Sequence, residues 1–201
     1  MQIILGSGSP RRKELLHQLL DSFTIITSDC EEKTEFHSPD QYVVELSRQK
    51  ACNVCEKIKN TSCPKEDYLV IGSDTIVYHE GNVLGKPRSS EHAQKMISSL
   101  SGKTHQVYTG VTLLHYNKNN ELLQQVQFHA CTDVSVATLS DSEIHSYITT
   151  SEPYDKAGGY AVQGLFAKHI SEIKGDYFNV VGLPLHALYE TLKEHFPSAL
   201  Q

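Results

Sequence analysis

Five short segments of this chain combine residue types suited to binding or hydrolysing a phosphorylated ligand. The first is Gly6-Ser7-Gly8-Ser9-Pro10-Arg11-Arg12. A small-residue turn between an apolar strand and a helix start exposes backbone N–H groups, and a helix dipole adds partial positive charge there. Arg11 and Arg12 then fall in the first helical turn, where the dipole disfavours cations. A local rule broken in this way points to a compensating anion. An ordinary turn with two solvated arginines fits the same residues, and no Walker A pattern occurs.

Lys50 shares a helix face with Leu46 and Val54, at i, i+4 and i+8. A lysine on an apolar stripe either snorkels to water or points into a cleft toward an anion. The apolar run Tyr68–Ile71 leads into Gly72-Ser73-Asp74-Thr75. A carboxylate inside a buried strand is costly unless it is paired or binds a metal, so Asp74 is the best single candidate for a general base or metal ligand. Its plain alternative is a strand-end Asp that accepts from backbone amides.

Lys86, in Gly85-Lys86-Pro87, lies on the returning arm of a hairpin. A turn at Gly81-Asn82 would set Lys86 opposite Val77. The fifth segment, Glu152 to Gly164, holds the paired glycines Gly158 and Gly159, which allow close backbone approach to a ligand. In it Gln163 offers a donor and an acceptor suited to a base edge.

The elements that must position these residues follow from periodicity and punctuation. Strands are expected at 2–5, 23–27, 68–78, 105–116, 122–139 and 170–173, and a short return strand begins at 83–84. Helices are expected from Pro10 to about Leu20, from Pro39 to about Lys59, over 90–100, up to about Thr149, and over about 184–196. Ser38–Gln41 and Ser140–Glu143 have the form of capping boxes. The alternation predicts an α/β fold in one domain, 1–201, with helices flanking the sheet. The short turn at 117–120 makes that sheet mixed and partly antiparallel.

The chain has 201 residues, 39% apolar and 21% charged, with a formal net charge of -6. That balance suits a globular domain and disfavours a broad nucleic-acid surface, which needs an excess of Lys and Arg. No run approaches the roughly 20 apolar residues that span a bilayer, so no membrane partner is expected. The five cysteines, an odd number, have no signal-like segment before them, and a cytoplasmic location with reduced thiols is expected. Cys52-x-x-Cys55 and Cys63 lack the second pair that would complete a zinc set. The eleven histidines show no ligand spacing on one helix face.

Together the segments resemble the Maf family of nucleoside triphosphate pyrophosphatases. The matching pieces are Ser7-Gly8-Ser9-Pro10-Arg11-Arg12-Lys13-Glu14-Leu15-Leu16, Ser73-Asp74-Thr75-Ile76-Val77, Gly85-Lys86-Pro87, Asp155-Lys156-Ala157-Gly158-Gly159-Tyr160, Val162-Gln163-Gly164 and Val181-Gly182-Leu183-Pro184-Leu185. They run in the family's order along nearly the whole chain. The resemblance implies a Maf/ITPase-like nucleotide cleft and often a homodimer. It implies that Ser7, Arg11 and Arg12 hold phosphates, and that Lys50 and Lys86 neutralise them. Asp74 would serve as general base or metal ligand with Thr75 beside it, Glu32 would help hold Mg2+ or Mn2+, and Gln163 would help read the base. The Asp-Lys-Ala-Gly, Tyr and Gln-Gly pattern resembles the branch acting on dTTP and UTP rather than 7-methyl-GTP. Gly159 stands where alanine is frequent. The implied reaction is attack of an activated water on the α-phosphorus, leaving a monophosphate and pyrophosphate. A non-catalytic nucleotide-binding module would keep the same cradle without turnover.

Overall fold

The computed structural model describes residues 1–31, 33–35, 38–61 and 64–200. Strands β1 (Gln2–Leu5), β2 (Thr24–Ile25), β3 (Tyr68–His79), β4 (Asn82–Leu84), β5 (Thr104–Tyr116), β6 (Leu122–Val136) and β7 (Ile170–Lys174) form one seven-stranded sheet. Its order is β2-β1-β3-β5-β6-β7, and β4 pairs with β3. Both β2 and β3 run parallel to β1, whereas β4 is antiparallel to β3 and β7 to β6. The expected mixed α/β sheet is therefore observed. The helices are α1 (Pro10–Leu16), α2 (Pro39–Thr61), α3 (Ser90–Leu100), α4 (Asp141–Ile148), α5 (Tyr177–Val181) and α6 (Leu185–His195).

By compactness the chain divides into two units. The first comprises Met1–Asp74, Thr109–Ala130 and Gly182–Gln201; the second comprises Thr75–Tyr108 and Cys131–Val181. In the first unit, Ile4, Val54, Ile58, Tyr68, Val70 and Leu114 pack a buried core, and Tyr68 stacks on Tyr116 at 5.4 Å. The long helix α2 lies on the strands at backbone distance. A Cβ at Gly72 would stand 2.4 Å from the Ser47 carbonyl oxygen and 2.8 Å from the Ala51 Cβ, and one at Gly110 would stand 2.2 Å from the Val43 carbonyl oxygen. Glycine is needed at 72 because helix and strand leave no room for a methyl group. Gly72→Ala is expected to lower stability by about 1–3 kcal/mol, the usual cost of overpacking, as read from urea unfolding midpoints. The same shift would move the neighbour of Ala51, Lys50, and lower turnover.

In the second unit, Val77, Ile97, Leu100, Val134, Ile144, Tyr147 and Phe166 form the core. Ser140 and Glu143 cap α4 reciprocally, as the sequence pattern predicts. His105, only 2% exposed, sits in this unit, its Nε2 2.7 Å from the Tyr160 hydroxyl and its ring edge-on to His79. Burial, with some repulsion from His79, pushes the His105 imidazole down to about 4. Between that value and the ordinary one near 6.5, the unfolded chain binds a proton that the folded chain does not. Stability therefore falls as pH drops from about 6.5 toward about 4, by about 3 kcal/mol when complete. Unfolding midpoints across that range should slope more steeply for the natural chain than for His105→Gln.

Several boundaries differ from the sequence-based expectation. Helix α1 stops at Leu16, and the chain to Leu20 tightens into turns with Gln18 N–H to Leu15 O and Leu19 N–H to Leu16 O bonds. The β3–β4 turn is Glu80-Gly81, not Gly81-Asn82: both residues have positive φ, 47° and 82°, and Val77 pairs with Leu84. Lys86 therefore does not stand opposite Val77; it follows β4 by two residues. Strand β6 ends at Val136 rather than 139 because the Ala137 N–H turns to the His169 carbonyl.

Candidate active site

The first unit brings four of the candidate residues into one chain of contacts. Strand β1 pairs Leu5 with Ile71, and the Gly6 N–H still bonds the Ile71 carbonyl at 2.8 Å. The residues just past this pairing, Ser7 on one side and Ser73-Asp74 on the other, thus follow the carboxyl ends of two paired parallel segments. That is where open α/β sheets place ligands. Ser9 caps α1, accepting from the Arg12 N–H at 3.5 Å, with Pro10 at the first helical position. The cap turns the Arg12 side chain back on the turn. Its Nε donates to the Gly182 carbonyl at 2.8 Å and its Nη1 to the buried Ser7 Oγ at 3.3 Å. The Ser73 hydroxyl donates to the same Gly182 carbonyl at 3.4 Å.

Asp74 lies within β3, next after Ser73, and its Oδ1 forms an ion pair with Lys50 Nζ. The side chains are 9% and 16% exposed, so the pair is shielded from water. Lys50 turns from the Leu46–Val54 stripe to a carboxylate. Gly72 explains how, because the close seat of α2 on β3 puts Lys50 within reach of Asp74 two residues along the strand. Asp74 is thus a mostly buried carboxylate whose cationic partner is carried on α2. Arg11 is half-buried in the first turn of α1. Glu32 lies outside the described residues.

The second unit holds the remaining candidates. Thr75, its first residue, is half-buried; Lys86 and Gln163 are exposed. Two of the five segments meet here, since the Gly158 N–H donates to the Gly85 carbonyl at 3.1 Å. Gly158 and Gly159 both take positive φ, 71° and 72°, a backbone that glycine adopts without strain. Lys86 is thus carried on a strut tied to the glycine segment rather than on the strand ladder. Lys156 pairs with its neighbour Asp155.

Two participants were not assigned roles from sequence. Gly182 lies in a recognised segment, yet only the fold shows its carbonyl receiving Arg12 and Ser73. Glu152 received no role because its partners are distant in sequence. Two thiols on α2 are made less acidic by burial: Cys52 is raised and Cys55 is pushed up to about 12. Among the described residues no group of three His, Cys, Asp or Glu side chains is placed to hold a metal.

In this mixed α/β sheet the Ser7–Arg12 contact and the Lys50–Asp74 pair follow the parallel pairing of β1 with Tyr68–Ile71, the place where α/β proteins of this class bind ligands. The chain belongs to the Maf family: the family model described as Maf-like protein matches residues 2–195. Among its curated relatives are three proteins each named dTTP/UTP pyrophosphatase. That of Lachnoclostridium phytofermentans is 45% identical, over 96% of this chain and 94% of the relative. That of Agathobacter rectalis is 46% identical, over 96% and 97%. That of Clostridium novyi is 46% identical, over 94% and 95%. A solved nucleoside-triphosphatase, dITP/XTP pyrophosphatase, from Mycobacterium abscessus aligns with 100% of this chain and 98% of its own at 11% identity and a TM-score of 0.39, a likeness too loose to add weight.

Proposed function

We propose that this chain hydrolyses dTTP and UTP to the nucleoside monophosphate and pyrophosphate, with Asp74 as general base. The observation that carries the reading is the shielded Lys50–Asp74 pair, with the Ser7–Arg12 contact just past the β1 end of the same parallel pairing. Full-length kinship near 45% identity with proteins named for that activity supports it. Ser7, Arg11 and Arg12 bind phosphate oxygens, and Lys50 and Lys86 offset the roughly four negative charges of a triphosphate. Asp74 takes the proton of the water that attacks the α-phosphorus; the bond to the bridging oxygen breaks and pyrophosphate leaves. Thr75 stands next to the base in the chain, and Gln163 reads the pyrimidine edge through its amide.

Asp74 and Glu32 are hard oxygen donors, and a candidate set of only these two carboxylates suits Mg2+ or Mn2+ arriving with the nucleotide rather than a resident protein cage. Such a cation supplies charge neutralisation on the phosphates. The four described cysteines are in no disulfide, which fits a reducing, cytoplasmic compartment, and among the described residues no helix is long and apolar enough to cross a membrane.

Incubation with a panel of NTPs and dNTPs plus Mg2+ tests the reading. Pyrophosphate and a monophosphate are expected from dTTP and UTP, with release abolished by EDTA and restored by excess Mg2+. Preference for 7-methyl-GTP would overturn the specificity, turnover in EDTA would overturn the cation, and binding without release would overturn the activity.

A further inference from the structure

We propose that Glu152 is a positioning residue for Gln163 and thereby sets base selectivity; this rests on the reading of Gln163 given above. Gln163 is the third residue of a turn closed by the Gly164 N–H to Ala161 O bond at 3.2 Å. Its side chain is exposed, so nothing buried holds it, and its direction depends on the backbone that follows. That backbone is gripped by Glu152. Its Oε2 accepts from the Leu165 N–H at 2.7 Å and its Oε1 from the Phe166 N–H at 3.3 Å. The Tyr147 hydroxyl, from the core helix α4, donates to Oε1 at 3.0 Å. Tyr147 and Phe166 are 5% and 0% exposed, so the carboxylate bridges the core of its unit to the turn.

Gly164 shows how close the grip is. Its φ of -112° is open to any residue, so glycine is not required by conformation. A Cβ there would stand 2.2 Å from Glu152 Oε2 and 2.5 Å from Oε1. The carboxylate occupies the space a side chain would need, directly beside Gln163. The two backbone N–H groups take one oxygen each, and the Tyr147 hydroxyl is shared between Oε1 and the Gly159 carbonyl at 3.2 Å, so two acceptor oxygens fit and an amide does not: glutamine would set an NH2 group against a backbone N–H.

The test measures kcat and KM for dTTP and dCTP in five variants alongside thermal melts. Glu152→Gln is expected to raise KM for dTTP about 10-fold and cut the dTTP-over-dCTP preference about 10-fold, with kcat within about 3-fold, the pattern of a displaced recognition amide. Gly164→Ala should reproduce that loss in the natural chain. Added to Glu152→Ala, where the carboxylate is gone, it should cost less than about 2-fold further. Additive losses from Gly164→Ala and Glu152→Ala would overturn the proposal. So would a lowered melting temperature with unchanged base preference. Should Glu152→Gln fail to fold, Gly164→Ala carries the same readout. Gln163→Ala separates the two layers: if it loses base preference and Glu152→Gln keeps it, the positioning role fails alone. If Gln163→Ala keeps full preference, the base-reading role fails and this proposal with it.

Discussion

Asp74→Asn is expected to reduce kcat for dTTP by about 10³-fold or more, near the upper range for loss of a positioned general base, with the fold retained. Asparagine keeps the shape and still offers one oxygen to Lys50 Nζ, so the neighbouring contacts of Ser73 and Gly182 need not move. What it lacks is the negative charge and the capacity to take the proton of the attacking water. Substrate binding should weaken much less than turnover, because the phosphate contacts proposed for Ser7, Arg11 and Arg12 do not involve Asp74. Steady-state kinetics with a circular dichroism spectrum and an unfolding curve decide the matter. A folded Asp74→Asn chain retaining a tenth of the natural rate would remove Asp74 from the role of base.

Lys50→Met should be the next most damaging change, and it should fail differently. Methionine keeps the stem that packs along the Leu46–Val54 stripe but withdraws the cation from a carboxylate only 9% exposed. Breaking a shielded pair from one side leaves an uncompensated charge, at a cost of about 3 kcal/mol. Both stability and kcat should therefore fall, the latter by about 10²-fold as one triphosphate-neutralising charge is lost. Lys50→Arg keeps the charge with a different reach and should recover stability more fully than rate. A Lys50→Met chain as stable as the natural one would mean that the pair contributes nothing to holding Asp74.

The contrast between Asp74 and Glu152 shows what the sequence made legible. Asp74 stood out because it interrupts an apolar strand, and burial of an unpaired charge is costly enough to demand an explanation. Lys50 was visible for the same reason, though only the seat of α2 on Gly72 tells which way it turns. Glu152 sits in a polar segment where an acid is unremarkable, and its partners at 147, 165 and 166 meet it only in the folded chain. Strands β1, β3 and β5 and helix α3 were readable from apolar runs and caps. Helix α5 was not, since five residues are too few to show a period, although Asp176, which accepts from the Phe178 N–H at 2.8 Å, is a start signal. The hairpin at Glu80-Gly81 was misplaced by one residue because glutamate is an unusual occupant of left-handed backbone. Asn82, the residue that suggested the other turn, instead donates its side-chain amide to the Glu80 carbonyl.

The most direct measurement is hydrolysis of dTTP in oxygen-18-labelled water with mass analysis of both products. Attack at the α-phosphorus, with Asp74 taking the proton, places the label in the nucleoside monophosphate and leaves the pyrophosphate unlabelled. Label in the pyrophosphate would mean attack at the β-phosphorus, and release of inorganic phosphate with dTDP would mean attack at the γ-phosphorus. Either result would contradict the account.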